Sequence, residues 1–151
     1  MKGLSLFSNV GIGETYLEQI GIEIIVANEL LEDRAEFYKK VYPKTQMICG
    51  DITDPEIYSQ IIESSRGVDL LMATPPCQGM SAANAMKKPN DPRNSLIKKV
   101  VAAINDLDPT YILIENVRAM QKTFINHNGS AIGILEFIKQ NISPDYEMHC
   151  K

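Results

Sequence analysis

Cysteine is scarce and unpaired in this chain: Cys49, Cys77 and Cys150 are three among 151 residues, with no Cys-x-x-Cys spacing. An odd count with no export signal ahead of it excludes a disulfide framework and implies reduced thiols. Histidine is scarcer still. His127 and His149 stand apart, so no zinc or other metal site is expected. Long apolar runs are missing as well. The run at residues 20–27 is broken by Gly21 and Glu23 and falls far short of the roughly 20 residues that span a bilayer. The first ten residues carry no continuous apolar core or cleavage site of a signal peptide, so no membrane association and a cytoplasmic location are expected. A basic excess is absent too: 15 Lys+Arg against 19 Asp+Glu leave a net charge of −4. That excludes a broad footprint for nucleic acid, so DNA would be met by a local surface or by another polypeptide.

Two nucleotide signatures are also lacking. There is no Gly-x-x-x-x-Gly-Lys-Ser/Thr stretch, which argues against a P-loop. Gly11-Ile12-Gly13 opens a dinucleotide-type turn, but Tyr16 stands where its third glycine belongs, which argues against a dehydrogenase.

What is present is an ordinary globular composition, 44% apolar and 23% charged, at a length suited to one domain spanning residues 1–151. Short apolar runs alternate with helix-length segments, the α/β pattern. Strands are expected at 4–7, 23–27, 46–49, 68–73 and 111–114, with a last strand-like piece at 146–150. Helices are expected at 14–20, 31–41, from Thr53 or Asp54 to about 66, at 95–107 and at about 130–140. The run 68–73 is almost continuously apolar, as a parallel strand covered on both faces requires, and 111–114 reads as a second such buried strand. Cys49, inside an apolar strand, reads as a buried structural cysteine. Residues 74–94 hold four of the eight prolines and form an irregular stretch of a length that usually marks a lid or binding loop.

Open parallel sheets bind ligands beyond the carboxyl ends of their strands. Those ends carry, in order, the turn 7–13, Glu29, Asp51, Pro75-Pro76-Cys77 and Glu115-Asn116. The turn brings backbone amides close to a ligand, and an acid about twenty residues later accepts hydrogen bonds from ribose hydroxyls. Together with Asp51 they describe an adenosine site. Cys77, stiffened by two prolines and followed by Gln78-Gly79, suits a nucleophile. Glu115, at the end of a strand expected to be buried, suits a desolvated acid that donates a proton or hydrogen bond.

Pro75-Pro76-Cys77-Gln78-Gly79 with Ser81, followed by Glu115-Asn116-Val117, resembles the cytosine-C5 DNA methyltransferase family, over nearly the whole chain and in the family's order. The resemblance implies a Rossmann-like, S-adenosylmethionine-dependent methyltransferase fold: a mostly parallel sheet with helices on both faces, here incomplete at its C-terminus. It implies Cys77 as nucleophile and Glu115 as acid, with Gln78, Ser81 and Asn116 near the substrate. Phe7, Gly11, Glu29, Asp51, Ile52, Pro75 and Leu96 would hold S-adenosylmethionine, Leu96 through its place in Arg93-Asn94-Ser95-Leu96. The substrate implied is a cytosine flipped out of duplex DNA, in a restriction-modification setting. The family's tRNA-methylating branch and a non-catalytic cofactor- or partner-binding module are the alternatives. The chain departs from the family at two points. Asn9 and Ile12 occupy glycine positions of the first loop, and no Gln-x-Arg-x-Arg motif, target-recognition region or closing helix motif is found. The expectation is therefore one part of an enzyme, either a truncated product or one polypeptide of a split pair.

Overall fold

The computed structural model describes residues 1–76 and 96–150, which fall into two compact units. The first comprises Met1–Pro75 with Asp106–Glu115, and the second Pro76–Asn105 with Asn116–Lys151.

In the first unit, β1 (Lys2–Leu6), β2 (Glu23–Glu29), β3 (Gln46–Cys49), β4 (Leu70–Ala73) and β5 (Tyr111–Ile114) form one parallel sheet in the order β3-β2-β1-β4-β5. The order reverses between β1 and β4, which makes that gap the sheet's switch point. Helix α1 (Glu32–Val41) joins β2 to β3, and α2 (Pro55–Ser64) joins β3 to β4. Right-handed crossovers running in opposite directions along the sheet set these two helices on opposite faces. Asp54 caps α2 by accepting from the Glu56 amide, and Pro55 follows at the first helical position, where its missing N–H costs nothing.

Strand β2 contains a bulge. Gly3 pairs with Ile24 and Leu4 with Val26, leaving Ile25 as the extra residue. The inserted residue flips the side-chain phase, so Ile22 and Ile24 share a face with Ala27 and pack with Tyr38 of α1 and Leu70 of β4.

Three local expectations are corrected. Residues 14–20 are turns with one 3-10 helix, Glu18–Ile20, because their backbone bonds span three residues, as in Leu17 N to Glu14 O and Ile20 N to Leu17 O. The strand 111–114 forms but is not buried. It is the outer strand of the sheet, with Tyr111 56% and Leu113 47% exposed. Cys49 is exposed rather than structural, because it ends β3, the other outer strand.

The second unit begins its described helical part with α3 (Leu96–Leu107, of which Leu96–Asn105 belong here). A 3-10 helix (Arg118–Lys122) leads into a hairpin of β6 (Phe124–His127) and β7 (Ser130–Gly133), and α4 (Ile134–Asn141) follows. The hairpin corrects the helix expected from residue 130. Asn128 (φ 52°) and Gly129 (φ 81°) form its two-residue turn, in which both positions must be left-handed. Residues 146–150 form no strand.

Candidate functional site

The register of the sheet assembles the site. Ile48, Asn28, Leu6, Ala73 and Ile114 lie in one row across all five strands. The next residues, Cys49, Glu29, Phe7, Thr74 and Glu115, leave the sheet along the same edge. Strands about 4.8 Å apart put Glu29 and Glu115 about 14 Å from one another along that edge. Each exit is tied to a neighbour. Ser8 N donates to Asn28 O (3.0 Å), Gly50 N to Glu29 O (2.9 Å), Thr74 N to Leu6 O (3.1 Å) and Glu115 N to Ala73 O (3.0 Å). The Thr74 hydroxyl also donates to Phe7 O at 2.9 Å.

The turn after β1 is unusual for its non-glycine content: Phe7 (φ 59°) and Asn9 (φ 53°) both adopt left-handed backbone, as does Gly11 (φ 83°). A Cβ at Gly11 would overlap the Tyr42 ring. Glu29 braces this turn. It is 5% exposed, and its Oε2 accepts from the Asn9 amide while its Oε1 accepts from the Leu31 amide, both at 3.0 Å. A carboxylate has about four lone-pair sites, so two amides orient it and leave acceptor capacity for a pair of ribose hydroxyls. Asp51 is exposed, with Oδ1 accepting from the Thr53 amide and hydroxyl at 2.8 Å each. Ile52 and Pro75 are buried. These carboxylate acceptors and apolar side chains suit an adenosine group, whose ribose hydroxyls and exocyclic amine donate.

Beneath the turn, the Ser5 hydroxyl donates to Glu14 Oε1 at 2.5 Å, and Glu14 is 4% exposed. Burial pushes the Glu14 carboxyl above its ordinary 4.5, against the lowering effect of the Ser5 hydroxyl. The folded chain therefore holds this proton more tightly than the unfolded chain. The stability it contributes is full below pH 4.5 and is lost as pH rises through the raised value. Glu14→Gln is expected to become progressively more stable relative to wild type as pH rises above 4.5, read by urea unfolding across a pH series; a difference that does not change with pH contradicts the assignment.

The family model for C-5 cytosine-specific DNA methylase matches residues 1–149. The chain belongs to that family. It is 44% identical over 155 aligned residues to the Type II methyltransferase M1.HgaI of Avibacterium volantium, covering 99% of this chain and 43% of that protein. It is 39% identical over 120 residues to the Type II methyltransferase M.FnuDI of Fusobacterium nucleatum, covering 80% and 33%. The chain thus spans less than half the length of these relatives. A DNA modification methyltransferase encoded within an E. coli prophage superposes with a TM-score of 0.73 over 97% of this chain and 39% of its own, at 23% identity. That likeness supports the Rossmann-like methyltransferase fold.

In the first unit Phe7, Glu29 and Glu115 stand at strand ends along one edge of the sheet, and Gly11, Asp51, Ile52 and Pro75 lie in the loops that follow strand ends of the same edge. Leu96 is the half-buried first residue of α3 and Asn116 follows β5; both belong to the second unit. Cys77, Gln78 and Ser81 lie outside the described residues, as does most of the stretch 74–94. Glu115 is exposed, which corrects the expectation of a desolvated acid: it leaves an outer strand with no further strand beside it among the described residues. The sequence reading missed Asn28. Buried at the end of β2, its Nδ2 donates to Ile48 O (2.9 Å) and Gly50 O (3.1 Å), shaping the approach to Asp51. A polar residue closing a run of apolar ones just before Glu29 was its signal.

Proposed function

We propose that this chain is the cofactor-binding and nucleophile-bearing part of an enzyme that methylates C5 of cytosine in DNA, of the restriction-modification type. The observation that carries the reading is the shared sheet edge, which presents an amide-braced Glu29 and the Pro75–Glu115 pair of strand ends in a chain of the C-5 cytosine methylase family. The two relatives described above are named Type II methyltransferases, which favours DNA over the tRNA alternative. A cytoplasmic setting accords with this; among the described residues no helix is long and apolar enough to cross a membrane.

When bound, S-adenosylmethionine supplies an electrophilic methyl group. The chain's own residues prepare the acceptor. The target cytosine, inaccessible within the stack, is flipped out. The thiolate of Cys77 forms a bond to C6, and Glu115 hydrogen-bonds N3 and the exocyclic amine, so that electron density moves to C5. Once C5 carries the methyl group, its proton is removed and the C6–S bond breaks, returning the thiolate. Gln78, Ser81 and Asn116 hold the base and its backbone. Phe7, Gly11, Glu29, Asp51, Ile52 and Pro75, all of the first unit, would hold the cofactor, and the family resemblance adds Leu96 to that set.

A second polypeptide or segment carries target recognition. The support is physical: among the described residues β5 has no strand on its outer side, an edge that invites pairing, and its Tyr111 and Leu113 side chains are exposed. Net charge −4 also gives the chain little pull on DNA phosphates.

The cofactor half of this reading has a direct test. Glu29→Ala and Asp51→Ala are each expected to weaken S-adenosylmethionine binding by about ten- to a hundredfold, as loss of a hydrogen bond to a charged group entails. Calorimetry is the measurement; unchanged affinity in both variants removes the adenosine site.

A further inference from the structure

The turn of residues 7–13 is held from a direction that the strand ends do not provide. Tyr42, the residue that caps the C-terminus of α1, donates its hydroxyl to Gly11 O at 2.6 Å. Its ring packs against that of Tyr38, centroids 4.7 Å apart and planes tilted by 40°, and both rings fill the space a Gly11 side chain would occupy. Among the described residues the turn is tied to other elements at four places: Phe7 O to the Thr74 hydroxyl, Ser8 to the Asn28 carbonyl, Asn9 to Glu29, and Gly11 to Tyr42. The first comes from the end of β4, and the next two from the strand that carries Glu29. The fourth comes from the far end of the helix that follows that strand. Left-handed backbone at two non-glycine residues persists when surrounding contacts over-determine it, and Phe7 and Asn9 both lie within this stretch.

We infer that Tyr42 is a positioning residue for S-adenosylmethionine binding: its hydroxyl fixes the Gly11 carbonyl and thereby the amides of the turn, without touching the cofactor. The inference rests on the cofactor site proposed above. It assigns α1 a role beyond packing, since the helix delivers Glu29's neighbour Leu31 at one end and the clamp on Gly11 at the other.

The test is Tyr42→Phe, which keeps the ring and removes the hydroxyl, set beside Tyr58→Phe. Tyr58 makes a bond of similar length, 2.7 Å to Asp106 Oδ2, at a site remote from the turn along the sequence. Calorimetry is expected to show S-adenosylmethionine affinity about three- to tenfold weaker in Tyr42→Phe and unchanged in Tyr58→Phe, one neutral hydrogen bond being worth that much. Amide hydrogen exchange on the cofactor-free chain reads the tie without the cofactor. The Asn9 amide is expected to exchange faster in Tyr42→Phe alone, because the Gly11 anchor restrains the turn that presents it. Equal loss of affinity in both variants would reduce Tyr42 to a general stabilising role and overturn the inference. Unaltered Asn9 exchange overturns it whatever the cofactor does. Faster exchange with no binding even by the wild type would leave the tie standing and overturn the cofactor reading, and with it the positioning role.

Discussion

Cys77→Ser is expected to abolish methyl transfer in the completed enzyme while leaving S-adenosylmethionine affinity within about twofold of wild type. The two effects separate because the thiolate attacks C6 of the base and has no part in holding the cofactor. A serine hydroxyl has far too high a pKa to furnish an equivalent anion near neutral pH, and no histidine lies within the motif to act as its base. The measurement is transfer of a labelled methyl group to duplex DNA, with calorimetry alongside. Substantial turnover by the serine variant shows that the nucleophile is elsewhere. Cys49 is a poor substitute: though exposed, it ends a strand where partial desolvation and the nearby carboxylates of Glu32, Glu29 and Glu36 outweigh Lys39 and push its thiol up, which disfavours the thiolate.

The 151-residue chain on its own is expected to methylate nothing measurable, and addition of a polypeptide carrying the family's recognition region is expected to restore sequence-specific methylation of duplex DNA. Three features make the effect all-or-none. The net charge of −4 gives little overall attraction for DNA phosphates. No Gln-x-Arg-x-Arg motif stands in the sequence to support a flipped base. Among the described residues no strand pairs with the outer edge of β5, whose Tyr111 and Leu113 side chains are also uncovered, and an unpaired edge of this kind accepts a further strand. Mixing the two purified polypeptides and assaying modified duplex sites tests this. Robust methylation by the isolated chain, or persistent inactivity of the mixture, contradicts it.

Where local signals were unambiguous, the sequence could be read closely. The β-branched and apolar runs at Gln46–Cys49 and Tyr111–Ile114 gave those strands to the residue, and Asp54-Pro55 gave the start of α2. The rim of Glu29, Asp51 and Glu115 followed from one rule, that acids at strand ends of a parallel sheet share an edge. Burial did not follow. An apolar strand reads alike whether it is central or outermost, so Tyr111–Ile114 looked covered and Glu115 looked desolvated, and the strand order decides otherwise. The hairpin was legible and was missed: Asn128-Gly129 between alternating residues is a strong turn signal, overridden by the helical spacing of residues 134–141. The bulge at Ile25 and the hydroxyl of Tyr42 on Gly11 have no local signature. They arise from pairing and packing between segments about twenty to thirty residues apart.

Covalent capture tests the central claim most directly. The completed enzyme is incubated with S-adenosylmethionine and a duplex bearing 5-fluorocytosine at the target position. Fluorine at C5 cannot leave as a proton does, so the bond from the thiol to C6 persists once the methyl group has been added. Mass spectrometry of the digested complex is expected to find the nucleotide on the peptide containing Cys77, dependent on S-adenosylmethionine and absent in Cys77→Ser. An adduct on Cys49 or Cys150, or no adduct under conditions where the same enzyme methylates ordinary DNA, contradicts the account.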